Sequence, residues 1–197
     1  MGDKFILELY TEKQTKWMEG YKFQPKKNRQ GSYFLTETDQ KEMNHILTKA
    51  RKSHIRYRCY GKEWARAPGC RDRFFRENPG PYRCRYCNRW LAKEQVVVDH
   101  IIPVNKAKSS QKARNMLRRS GMTSVNDIRN LAPSCPWCNS RKGDKIGLWY
   151  LRGIFGKYKV YWAFVYTILL AVAIIGVYSL WHLDFIGNLT KILGGGR

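Results

Sequence analysis

Hydrophobic positions are spaced differently in successive stretches of the chain, and each spacing predicts an element. From 37 to 58, "ETDQKEMNHILTKARKSHIRYR" sets Met43, Ile46, Leu47 and Ala50 at intervals of three and four in a polar background, which predicts an amphipathic helix. His45 and His54 read as surface residues of that helix, since neither has a partner at metal-ligand spacing. "YRCRYCNRWLAKEQVVVDH" (82 to 100) reads as strand, tight turn, strand. Its last part belongs to "VVVDHIIPV" (96 to 104), β-branched enough for a buried strand that ends near His100 and Pro103. "SCPWCNSRKGD" predicts a helix, with Ser134 as N-cap, Pro136 in the first turn and Gly143 as the stop. Strand, strand and helix make a ββα unit.

The longest pattern has no polar face at all. From Val160 to Trp181 run 22 residues without a charge, roughly 33 Å of helix and enough for a bilayer core. Tyr158, Tyr161 and Trp162 mark one end and Tyr178 and Trp181 the other, as interfacial aromatics do. A buried core helix is the competing reading, but six turns without a polar face are unusual there. Arg141, Lys142, Lys145, Arg152, Lys157 and Lys159 precede the segment, whereas only Lys191 and Arg197 follow it, with Asp184 between. The positive-inside bias therefore predicts a single-pass membrane protein with its N-terminal part on the cytoplasmic side. Residues 148 to 159 read as a juxtamembrane linker whose Trp149, Tyr150, Leu151, Ile154 and Phe155 suit the lipid interface. Asn188-Leu189-Thr190 matches a glycosylation acceptor, a weak signal. The first ten residues are too polar for a secretory signal, and Ile6 stands where myristoylation wants Ser or Thr.

Composition adds one constraint. The formal charge is +22, almost all of it before residue 160, and it points toward phosphate-rich partners or anionic lipid. Lys26, Lys27 and Arg29 lie in a loop-like stretch, 24 to 32, that could touch nucleic acid or simply be solvated. Phe74 and Phe75 are expected to pack the N-terminal part onto the knuckle formed by Cys84 to Cys87.

Two C-x-x-C pairs stand out among six cysteines: Cys84 with Cys87, and Cys135 with Cys138. Each suits a zinc knuckle, and four thiolates complete a tetrahedral structural site. Two disulfides or a redox motif are the alternatives; a reducing cytoplasm argues against the first, and no thioredoxin-like pattern surrounds either pair. Cys59 and Cys70 read as ordinary thiols. The long gap between the pairs, 88 to 134, means that a metal would pin distant segments and close a loop containing "VVVDHIIPV".

In that strand Asp99 and His100 are adjacent, and burying them unpaired costs several kcal/mol, so partners are expected. A structural pair at a strand end is one reading. The other is chemical, although adjacent strand residues point to opposite faces, so the chain must bend there for both to serve one phosphate.

"CRYC", "VVVDHIIPV" and "NDIRNLAPSCPWCNSRKGD" together resemble the His-Asn-His (HNH) endonucleases, in the version supported by a four-cysteine zinc site. The resemblance covers about residues 82 to 145. It implies that His100 is the general base that activates water. It implies that Asp99 and Asn139 hold a catalytic divalent ion, Mg2+ or Mn2+, and that Asn130 holds the loop and orients the base. The third family position is often His; here it is Asn139, which favours hard, oxygen-preferring ions. The stretch "NKAKSSQKARNMLRRSGMTSVNDIR" departs from the pattern: it is long and basic, is expected to insert a helix, and makes Asn126 a rival for the middle-Asn role. Arg141 and Lys142 are the expected phosphate contacts.

The expected class is therefore α+β: a small zinc-stapled ββα-metal nuclease core at 76 to 147. Around it lie a partly helical N-terminal extension of unknown role (1 to 75), the linker, a transmembrane helix (160 to 181) and a short tail (182 to 197). The expected activity is hydrolysis of DNA phosphodiester bonds by a membrane-anchored nuclease, with no small-molecule substrate. The alternatives are a non-catalytic zinc-dependent nucleic-acid-binding module and a zinc-supported scaffold on anionic lipid.

Overall fold

The computed structural model describes residues 4–25 and 31–194, with side chains as far as residue 182 apart from those of residues 36 and 37. The chain divides into two compact units, Met1–Gly153 and Ile154–Arg197.

The first unit opens with β1 (Phe5–Tyr10), α1 (Lys16–Glu19), β2 (Gln24–Pro25), β3 (Ser32–Thr38), α2 (Gln40–Lys52) and β4 (Arg56–Gly61). The strands form an antiparallel sheet in the order β2-β3-β1-β4. Alternation explains it: Leu7 and Leu9 point to one face and pack with Met18, Leu35, Met43, Ile46 and Ala50, while Glu8 points to the other. Glu8 is only 4% exposed; its carboxylate accepts from Tyr60 Oη at 2.6 Å and from Tyr10 Oη at 2.8 Å, and faces Lys108 Nζ at 3.3 Å.

The helix expected over 37–58 is shorter, Gln40–Lys52. Asp39 caps it by accepting from the Glu42 amide at 2.8 Å. It stops where His54 takes a left-handed conformation, φ 53°, and the chain turns back as β4, with Cys59 opposite Leu7 and Tyr57 opposite Leu9. The stretch read as a loop contributes β2, whereas Lys26, Lys27 and Arg29 lie outside the described residues.

There follow α3 (Cys70–Glu77), the hairpin β5 (Tyr82–Arg83) and β6 (Trp90–Leu91), β7 (Val97–His100), α4 (Val104–Ser109), α5 (Gln111–Arg119), β8 (Leu131–Ser134) and α6 (Pro136–Lys142). β7 and β8 pair antiparallel, with Asp99 opposite Ala132 and His100 opposite Leu131; α6 follows β8 directly and packs against β7. Phe74 packs with Tyr82, Tyr86 and the cysteines of both pairs, joined by half-buried Phe75. The basic insertion folds as two helices, α4 and α5. Ile102, Ala107, Ala113, Leu117 and Val125 pack against Tyr60 and Trp64, so residues before 75 share a core with those after 100. They contain four strands as well as helices, which "partly helical extension" did not foresee.

Within the stretch read as a linker, Gly147–Phe155 forms a helix, α7. Its Gly153 backbone lies against Ile101, where an added Cβ would sit 2.5 Å from Ile101 Cγ2. Arg85 donates to the Gly153 carbonyl at 3.3 Å, and the Trp149 ring meets Tyr86 edge-on at 5.5 Å.

In the second unit, α8 (Lys159–Gly194) is the one described helix long and apolar enough to cross a membrane; its segment Lys159–His182 has a mean hydropathy of 2.3. Ile175, Val177 and Leu180 are exposed along it. At its start Trp162 Nε1 donates to the Gly156 carbonyl at 2.9 Å, and Tyr161 stacks on Phe155.

Gly153→Ala is expected to lower stability by about 1–3 kcal/mol, because Ile101 is β-branched, buried and cannot step aside. Gly176→Ala in α8, with nothing within 4 Å of its Cβ position, serves as the silent control in urea unfolding of the full chain in detergent micelles.

Candidate functional site

The two knuckles are built differently. The first is a tight turn closing the β5–β6 hairpin: the Cys84 amide donates to the Arg89 carbonyl at 2.8 Å and the Asn88 amide to the Cys84 carbonyl at 2.9 Å, with Asn88 at φ 62°. The second is the start of α6. Its N-cap is Cys135, not Ser134: the Cys135 sulfur accepts from the Cys138 amide at 3.4 Å, and Pro136 occupies the first turn. The Cys135 amide donates in turn to Cys84 Sγ at 3.3 Å. Cys84, Cys87, Cys135 and Cys138 bring their sulfurs within 4.8 Å of one another, and all six cysteines are free thiols.

This cluster could hold a structural metal ion such as zinc. The 4.0 Å between the Cys87 and Cys135 sulfurs is near the roughly 3.8 Å edge of a tetrahedron with Zn–S bonds of about 2.3 Å. Burial pushes the Cys87 and Cys138 thiols up. At Cys84 burial acts the same way, but the amides of Cys135, Tyr86 and Cys87 outweigh it and bring the thiol below its usual value. Four thiolates this close cannot coexist without a cation among them. Cys59, against the Met43 sulfur at 3.1 Å, and Cys70, against the Ala67 carbonyl at 3.1 Å, stand apart from the cluster.

Asp99 and His100 leave β7 on opposite faces. The Asp99 carboxylate accepts from Tyr86 Oη and meets Lys142 Nζ at 2.9 Å and 3.2 Å. Lys142 also donates to the His100 carbonyl at 2.8 Å and is completely buried. This corrects the expectation of a phosphate contact: its ammonium is committed to the interior. Arg141, one position away, is exposed, with its guanidinium 4.6 Å above the Trp137 ring. A groove of about 740 Å³ beside it carries Lys106, Lys112, Arg141 and Lys145 on its walls, with Asp144 the one acid.

The His100 imidazole is buried, and among the described residues its Nε2 has no hydrogen-bond partner. Its pKa is pushed down to about 4, first by burial and then by the Arg66 guanidinium; Asp99 and the Asn126 side chain oppose this, and Lys142 adds to it. The ring is therefore neutral at neutral pH. Two asparagines share the work expected of one. Asn130, 1% exposed, accepts from the Ile102 amide at 2.9 Å and donates to the Ile102 and Val125 carbonyls at 3.2 and 2.7 Å, fixing the turn after β7. Asn126 is the asparagine beside the imidazole; it also accepts from the Ala67 amide at 3.0 Å and donates to the Ala65 carbonyl at 2.7 Å. Asn139, half-buried on α6, has its side-chain amide unengaged by other described residues.

Asp99 and Asn139 offer one carboxylate and one amide oxygen, the donor type that hard ions take. Lys142 already neutralises that carboxylate, so the protein alone offers a dication little net charge. Tyr86, Arg66 and the buried state of Lys142 were not anticipated. Tyr86 was legible as the one aromatic inside the first knuckle, whereas Arg66 lies far from the motifs in sequence. No family model matches the chain, and no curated protein matches it.

Two measurements test these assignments. Elemental analysis of the purified chain is expected to find one zinc per chain, lost together with folding in Cys138→Ser or on prolonged chelation. Lys142→Met is expected to cost about 3–5 kcal/mol in urea unfolding, because it strands the Asp99 charge. Arg141→Ala should change stability by no more than about 1 kcal/mol, the scale of an exposed cation–π contact.

Proposed function

We propose that the chain is a membrane-anchored, zinc-supported HNH-type endonuclease that hydrolyses DNA phosphodiester bonds. The observation that carries this reading is the buried, neutral His100. Its Nε2 is unpartnered among the described residues and sits at the end of a strand bonded through Lys142 to the helix that carries Cys135 and Cys138. A neutral imidazole nitrogen can accept a proton, which is what making a nucleophile from water requires.

In the proposed reaction a water oxygen bonds to phosphorus while its proton passes to His100 Nε2. The phosphorus–oxygen ester bond opposite breaks, and the departing oxygen takes a proton from solvent. Asn130 holds the turn behind His100, so it acts as a positioning residue. A pKa near 4 makes the imidazole a weak base in the free protein. A phosphate bound at Arg66 would cancel one cause of that depression and raise the basicity when substrate is present. Asp99 and Asn139 would hold a Mg2+ or Mn2+ ion. Bound there, such an ion supplies Lewis-acid stabilisation of the phosphate charge. Arg141 and the groove lysines supply attraction to the nucleic-acid backbone. α8 would anchor the chain as a single span with the first unit on the cytoplasmic side.

Two observations favour a second reading, a zinc-dependent nucleic-acid-binding module without turnover: Lys142 already occupies the Asp99 carboxylate, as in a structural ion pair, and Asp99 and His100 leave the strand on opposite faces with His100 Nε2 buried, so cleavage requires the strand end to open to water and phosphate.

The two separate in one experiment. Full chain in detergent micelles and its His100→Gln variant, matched for zinc content and thermal unfolding, are incubated with supercoiled plasmid in Mg2+, Mn2+ or EDTA. The nuclease reading expects ion-dependent nicking or linearisation that falls at least about 10²-fold in the variant. Equal DNA retention by both proteins with no cutting in any ion would establish the binding module instead.

A further inference from the structure

α7 has two faces with different fates. One is built into the first unit: Gly153 against Ile101, Trp149 edge-on to Tyr86, and the Gly153 carbonyl accepting from Arg85. The other is apolar and uncovered, with Leu148 74% and Leu151 46% exposed. Phe155 continues the same three-and-four spacing along the helix.

Large leucines are not left in water without consequence, and three observations identify what covers these. α7 ends at Phe155 and α8 begins at Lys159. The residues between them reach at most about 14 Å, so wherever α8 enters a bilayer, the end of α7 lies at its surface. Arg152 is exposed on α7, and Lys157 and Lys159 follow; cations beside an apolar stripe suit anionic headgroups above an acyl boundary. The face opposite the stripe is already committed to the protein.

Resting on the reading that α8 spans a membrane, we propose that the exposed face of α7 is a lipid-contacting surface. Leu148 and Leu151 enter the boundary between headgroups and acyl chains and seat the first unit on the bilayer. The segment is thus an interfacial element of the first unit rather than a free tether. It also lies two contacts from the candidate site, since Trp149 touches Tyr86 and Tyr86 donates to Asp99. Seating α7 therefore fixes the orientation of Asp99 and His100 to the membrane plane.

The test uses the full chain reconstituted in vesicles of phosphatidylcholine and phosphatidylglycerol that carry a photoactivatable phospholipid. Its carbene precursor sits high on the acyl chain, and adducts are mapped by mass spectrometry. The expected result is lipid adducts on residues 147–152 as well as within α8, and none on α5. The double variant Leu148→Gln/Leu151→Gln, altered only at exposed positions, is expected to lose the α7 adducts and keep those on α8. Adducts confined to α8 would overturn the proposal while leaving the span intact, and adducts on neither would overturn both. Cross-linking of α7 to a second copy, or undiminished α7 labelling in the variant, would likewise overturn it.

Discussion

The Lys142 ammonium is buried completely, and an unpaired ion of that kind loses several kcal/mol of hydration. Three groups surround it: the Asp99 carboxylate at 2.9 Å, the His100 carbonyl at 2.8 Å, and the Tyr86 ring, 5.8 Å to its centroid. Each comes from an element that something else must hold in place. Asp99 and His100 end a strand whose partner, β8, leads straight into α6. Tyr86 lies inside the first cysteine knuckle. Lys142 closes α6, and Gly143 after it at φ 47° lets the chain leave. Removing any one of these supports strands a charge, so the ion pair makes the two knuckles, the strand pair and the helix interdependent.

The cysteine cluster supplies what the apolar cores cannot. Among the described residues the first unit has three separate small cores rather than one large one, in a chain whose like charges repel one another. A metal at the four sulfurs would cross-link segments about fifty residues apart and remove much of the loop freedom of the unfolded chain. It would also fix the first turn of α6, because the sulfurs are themselves acceptors for the amides that start that helix. Asn139 and Lys142 are then placed by helical geometry. A metal there would act on the site at one remove, through the axis of α6.

How far the sequence showed this depends on the range of the interaction. Cysteine spacing, the 22-residue apolar run and the strand ending at His100 are local patterns, and the structure contains the four-sulfur cluster, the long apolar helix and the strand where they were expected. The N-terminal sheet was missed although "FILELY" alternates: its short strands pair with partners about thirty and fifty residues away, and helical periodicity in 40–52 dominated its neighbours. Lys142 was misread for a physical reason. A lysine after two exposed positions in a strongly basic chain has every appearance of a surface cation, and only the fold brings Asp99 and a backbone carbonyl to it. Arg66 and Asn126 meet His100 across more than thirty and about twenty-five residues, respectively, which no spacing rule encodes.

The surplus of positive charge leaves one problem that geometry has to answer. Lysines and arginines are drawn to anionic lipid as readily as to nucleic acid, and at physiological salt this attraction extends only about 8 Å. Charge alone would therefore let a tethered domain lie down on whichever basic face met the bilayer first, the groove with Lys106, Lys112 and Arg141 included. An apolar helix face would resolve the competition, because burial of leucine is not weakened by salt screening and is specific to one side of the molecule. Were α7 seated by Leu148 and Leu151 as proposed, the face toward the lipid would be chosen by shape rather than by charge.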